Sequence, residues 1–79
     1  MLNKEDTSKL SDMVREYDRC KKQLHRTEFE INREHLTNGV FTDESTRLTE
    51  QWSADMQNMY RRAEDISEFV SEKFADIVS

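Results

Sequence analysis

The chain has 79 residues, of which 37% are charged, with one cysteine, one glycine, no proline and a net charge of −5. This length allows one domain, the lone cysteine excludes an internal disulfide, and the scarcity of glycine and proline leaves long helices uninterrupted. Residues 1–39 carry eight basic and eight acidic side chains, residues 40–79 four and nine, so neither half offers the basic stretch expected of a nucleic-acid or anionic-membrane binder.

The first element is expected to be a helix from about residue 7 to 37. Leu10, Met13, Tyr17, Cys20, Leu24, Thr27 and Ile31 follow at alternating steps of three and four. That heptad spacing marks a helix packed lengthwise on another. Leu24 and Ile31 belong to its core, while Leu10, Met13, Val14 and Tyr17 are assigned to receive a partner near its beginning. Phe29 and Leu36, seven apart, fall off this seam. Either they pack under Val40 and Phe41, or they form a second apolar face for another chain.

A stop signal follows at Asn38 and Gly39, the two residue types best suited to the left-handed conformation beyond a helix end. Thr42 is a good N-cap for what comes next, with Asp43 and Glu44 placed in the first turn, where the helix dipole favours acids. The turn is expected over residues 38–42, and a link this short makes its flanking helices antiparallel neighbours.

The second helix is expected over about residues 43–77. Its seam reads Trp52, Met56, Met59, Ala63, Ile66, Val70 and Ile77, with Lys73 interrupting it and Leu48, Tyr60, Phe69 and Phe74 alongside. Trp52, Met56 and Met59 are assigned to the hairpin core. Toward the C-terminus Ile66, Phe69, Val70, Phe74 and Ile77 make the apolar face wider than one facing helix covers, and these are assigned to a partner. The fold class is therefore all-α: a coiled-coil-like antiparallel two-helix hairpin, one domain over 1–79, completed by a partner or a second copy.

The residues suggest no chemistry. His25 and His35 are ten apart, and the one metal-type spacing, His25 with Glu28, lacks the second pair needed to complete a site. Both histidines read as solvated. Cys20 falls on the seam as a small apolar filler, and acidic clusters such as Glu64, Asp65 and Glu68 read as a solvated helix face. No catalytic residue, metal, cofactor or small-molecule substrate is expected. No apolar run approaches the roughly 20 residues of a membrane span, and the beginning of the chain lacks a secretory signal's apolar core. A cytoplasmic protein, or one exported without a cleavable signal, is expected.

Two long helices about a central turn resemble the ESAT-like, Trp-x-Gly family of type VII secretion, and Tyr60-Arg-Arg-Ala-Glu64 is similar to that family's export pattern of a tyrosine and an acid four residues later. In the family the tryptophan and glycine share the turn. Here the turn holds Asn38-Gly39 and Trp52 lies inside the second helix, which points to a divergent relative or a targeting partner of secreted toxins. In size and in its glycine-containing turn the chain also resembles the helical-hairpin chaperones of type III secretion needles. Both resemblances imply a non-enzymatic adaptor, chaperone or targeting factor that offers an apolar helix face to a helical partner. Two rivals stand beside this expectation. One is a hairpin that only self-associates into a homodimeric four-helix bundle. The other is an acidic inhibitor, perhaps phage-encoded, that mimics nucleic acid with Asp55, Asp65, Glu68, Glu72 and Asp76.

Overall fold

The structure is a computed structural model that describes the backbone over residues 3–78 and the side chains over residues 3–75. It consists of two helices, α1 (Lys4–Asn38) and α2 (Asp43–Val78), packed against each other as an antiparallel hairpin. The rod measures 57 × 18 × 13 Å. Neither helix is long and apolar enough to cross a membrane.

Helix α1 begins three residues before the position its apolar spacing suggests. Asn3 caps it: Oδ1 accepts from the Asp6 amide at 2.8 Å, and the Asn3 carbonyl accepts from the Thr7 amide and hydroxyl, each at 3.0 Å. A good cap satisfies amides that would otherwise lack a partner, so the helix extends into a polar segment that no hydrophobic pattern announces.

The turn follows from three local devices. The Gly39 amide donates to the His35 carbonyl at 3.2 Å, and the backbone then leaves the helix at φ 94°, ψ 179°, a conformation open to glycine alone. Thr42 caps α2, its hydroxyl oxygen accepting from the Ser45 amide at 3.0 Å and its carbonyl from the Thr46 amide at 3.1 Å. The same hydroxyl donates to the Glu34 carboxylate at 3.0 Å, which also accepts from the Asn38 side chain at 3.1 Å. Glu34 thereby ties the last turn of α1 to the first residue before α2.

Four cross-helix bonds fix the register. Asp6 pairs with Lys73 at 3.2 Å, Thr27 donates to Asp55 at 2.6 Å, the Trp52 indole donates to Glu28 at 3.1 Å, and His35 bonds Ser45 at 2.8 Å. As the numbers climb along α1 they fall along α2.

On α1 the buried line is the expected one: Leu24 and Thr27 are buried, and Leu10, Met13, Tyr17, Cys20 and Ile31 are half-buried beside them. On α2 the line differs from the expected seam. It runs through Ser45, Leu48, Trp52, Asp55, Met59, Ile66, Phe69 and Lys73. Leu48 and Phe69, expected to flank the seam, are buried in it, whereas Val70, expected within it, is exposed. The cause is chemical. Ser45 and Asp55 are polar residues in core positions, each buried because α1 supplies a partner, and a count of apolar residues passes over them. Among the described residues the buried set is half polar, namely Thr27, Ser45 and Asp55 against Leu24, Leu48 and Phe69. None of the buried side-chain polar atoms described lacks a hydrogen-bond partner, which is the condition for burying such groups without a large penalty.

Candidate interaction surfaces

The second helix carries two apolar lines, the seam and a second one whose outer residues are exposed. Beside the seam, Met56, Tyr60, Ala63, Ser67, Val70 and Phe74 follow at alternating steps of four and three. This spacing makes a continuous stripe along one side of a helix. Met56 and Ala63 are half-buried at its inner edge, while Tyr60, Val70 and Phe74 are 58%, 47% and 63% exposed. The stripe is broken only by Ser67. Val14 of α1, 41% exposed, follows the core residue Met13 as Val70 follows Phe69. In an antiparallel pair these positions share one flank, so Val14 widens the same apolar surface. The opposite flank is polar: Lys9, Asp65, Glu68 and Glu72 line one open groove there, and Arg19, Gln23 and Asn58 another.

The residues assigned to a partner fall into four groups. Val14, Val70 and Phe74 are exposed as that role requires. Leu10, Met13, Tyr17 and Ile66 are half-buried, with their inner sides committed to the seam. Phe69 is a correction: it is 7% exposed, enclosed between the helices, with the ammonium groups of Lys9 and Lys73 lying 5.2 and 5.6 Å from its ring centroid. Cations over an aromatic face are attracted by the ring quadrupole, so the two lysines close the seam over Phe69. The side chain of Ile77 lies outside the described residues. Among the assigned core residues Leu24 is buried, and Ile31, Trp52, Met56 and Met59 are half-buried.

Of the two readings of Phe29 and Leu36, packing beneath the turn does not occur. Phe29, Leu36 and Phe41 are 69%, 89% and 101% exposed, and Val40 is exposed as well.

The polar side chains are occupied structurally. His35, expected to be solvated, is half-buried on Ser45, while His25 is exposed. Cys20 is half-buried. Asp55, the first member of the acidic row of the proposed nucleic-acid mimic, is buried, accepting from Thr27 and from Gln51 at 2.8 Å, and presents no charge to a partner. At the start of α2, Arg47 pairs with Glu44, and this hydrogen bond holds the Glu44 carboxyl below its ordinary pKa and raises that of Arg47. Among the described residues no three His, Cys, Asp or Glu side chains gather as metal ligands would.

Fold and surface together define an all-α helical hairpin with an uncovered apolar stripe. Comparison with protein-family models, with curated proteins and with solved structures finds no match for the chain.

Proposed function

We propose that the chain is a non-enzymatic helical adaptor, a chaperone or targeting factor that binds a helical partner protein through the outer stripe of α2. One observation carries this reading: Tyr60, Val70 and Phe74 stand exposed in heptad spacing on a helix whose other apolar line is already used. Aromatic anchors in such a stripe are the usual hot spots of an interface, and an amphipathic partner helix buries them by lying alongside. The stripe replaces the broader face first expected, since Phe69 serves the hairpin itself. Bacterial protein secretion is the setting we propose, on the resemblance in shape to helical-hairpin secretion proteins. Tyr60 and Glu64 are both exposed in it.

The test is co-expression with the products of adjacent genes, followed by size-exclusion chromatography of the tagged full chain. A one-to-one complex that is lost in Val70→Asp/Phe74→Asp, with helicity retained, supports the adaptor. Loss of a dilution-resistant dimer of the chain alone in that same variant assigns the stripe to self-association instead. A complex indifferent to the variant removes the stripe from the function.

A further inference from the structure

The outward face of α1 carries a feature that neither the seam nor the α2 stripe uses. Arg19, Lys22, Arg26, Phe29, Arg33 and Leu36 follow one another at alternating steps of three and four, and all six are exposed. They form a line about 26 Å long at the helical rise of ~1.5 Å per residue. The line contains four cations and no acid.

Its electrostatics differ from those of most other outward arginines. Arg15, Arg47 and Arg62 each lie against a carboxylate three residues away, the ordinary way a helix surface neutralises itself, and Arg61, exposed on α2, stands without such a pair among the described residues. Arg19 has such a partner in Glu16 at 2.9 Å. Among the described residues, however, no carboxylate comes within ion-pair distance of Lys22, Arg26 or Arg33, and Arg26 donates only to the side-chain oxygen of Gln23 at 3.3 Å. Of the nearby acids, Glu28 bonds Trp52 and Glu34 bonds Asn38 and Thr42, while Glu30, exposed between Arg26 and Arg33, comes within ion-pair distance of neither. Unneutralised cations therefore alternate with Phe29 and Leu36, and the turn beyond adds Val40 and Phe41. Arginines interleaved with exposed apolar and aromatic side chains are the composition of an interface centre.

We propose that this stripe is a docking surface for an acidic amphipathic helix of a second protein. Its carboxylates meet Lys22, Arg26 and Arg33, where each guanidinium fork takes a carboxylate through two parallel N–H bonds. Its apolar residues cover Phe29 and Leu36. Charge complementarity selects this occupant. A nucleic acid answers the cations equally well, but it offers nothing aliphatic to Leu36 and Val40, which stand exposed beside them. This surface is on a different helix from the stripe of the proposed function and does not rest on that reading.

The probe is a synthetic helix of about 20 residues, long enough to hold helical structure, with leucine at every third or fourth position and glutamate between. Controls are the same peptide with lysine for glutamate, a short DNA duplex, and phosphatidylserine vesicles. Fluorescence anisotropy with the full chain at low salt should show saturable binding of the glutamate peptide only. Binding should weaken at least about tenfold, or 1.4 kcal/mol, in Arg26→Glu/Arg33→Glu and in Phe29→Ser/Leu36→Ser, and also on raising salt, which screens exposed charge. It should be unchanged in Val70→Asp/Phe74→Asp, which separates this surface from the α2 stripe. All six positions are exposed, so the variants should keep wild-type circular dichroism. The proposal is overturned if the glutamate peptide does not bind, if the lysine peptide binds equally, if the charge-reversed variant binds as wild type, or if the DNA or the vesicles are bound through these arginines instead.

Discussion

At the scale of single residues, the hairpin is governed by two positions where chemistry overrides hydrophobic pattern. Asp55 is a buried carboxylate with Thr27 and Gln51 as its donors and, among the described residues, no cation within ion-pair distance, although Arg19, Lys22 and Arg26 line the same groove. A polar pair in a heptad seam specifies register at a cost in stability, and removing one partner leaves the other buried and unsatisfied. Thr27→Val should therefore destabilise the chain by about 1–3 kcal/mol. The double variant Thr27→Val/Asp55→Leu should recover most or all of that, because two apolar side chains leave no polar group stranded. Urea denaturation of the three proteins measures this, and a double variant less stable than Thr27→Val would count against the pairing. Gly39 is the second position. A Cβ built there meets nothing within 4 Å, so its φ of 94° alone decides the outcome. Gly39→Ala should cost about 1–3 kcal/mol through backbone strain, read as a lowered urea midpoint. A midpoint equal to wild type would mean that the turn adopts another conformation.

At the scale of elements, what the sequence revealed depended on whether the signal was local. The turn was legible because Asn38, Gly39 and Thr42 carry their instructions in their own conformational preferences. The seam of α1 was legible because its one line of apolar residues has no competitor. On α2 two lines run side by side, and spacing alone could not tell which one faces α1. That choice is made by Thr27 and His35 of the opposite helix, which accept Asp55 and Ser45 into core positions. The approach of Lys9 to Phe69 was likewise illegible, because Lys9 lies far away in sequence, on the other helix of the antiparallel pair. The outward cations of α1 were visible as letters, but which of them lack a carboxylate partner emerges only from the side-chain geometry, in which Glu28 and Glu34 turn to other partners and Glu30 forms no ion pair with Arg26 or Arg33. The start of α2 gives a prediction at this scale. Glu44 titrates below its ordinary value because Arg47 bonds its ionised form. A carboxyl lowered in the folded state contributes stability above its unfolded pKa, and that contribution is lost as pH falls through the folded pKa. Because the pair is fully exposed, the effect on global stability is small. Carboxyl titration by NMR should place the Glu44 midpoint below the ordinary range and move it upward in Arg47→Ala. An unmoved midpoint would dissolve the pair.

At the scale of the whole molecule, the hairpin is a thin rod with little buried apolar surface of its own. Three of its six buried described residues are polar, and small scaffolds without disulfide or metal commonly gain their remaining stability from a partner. The uncovered surface is distributed accordingly. An apolar stripe runs along α2, a basic and aromatic stripe along the outside of α1, and a polar flank lies between the helices on the remaining side. The two surfaces proposed to dock partners thus lie on different helices of the rod. The central claim, that the α2 stripe is left open for another protein, is tested most directly by sedimentation velocity of the full chain across a wide dilution series. The account predicts an elongated monomer of 9.5 kDa at low concentration, with only weak, dilution-sensitive association above it that Val70→Asp/Phe74→Asp abolishes. A compact dimer that survives dilution would contradict it, because the stripe would then already be covered by a second copy.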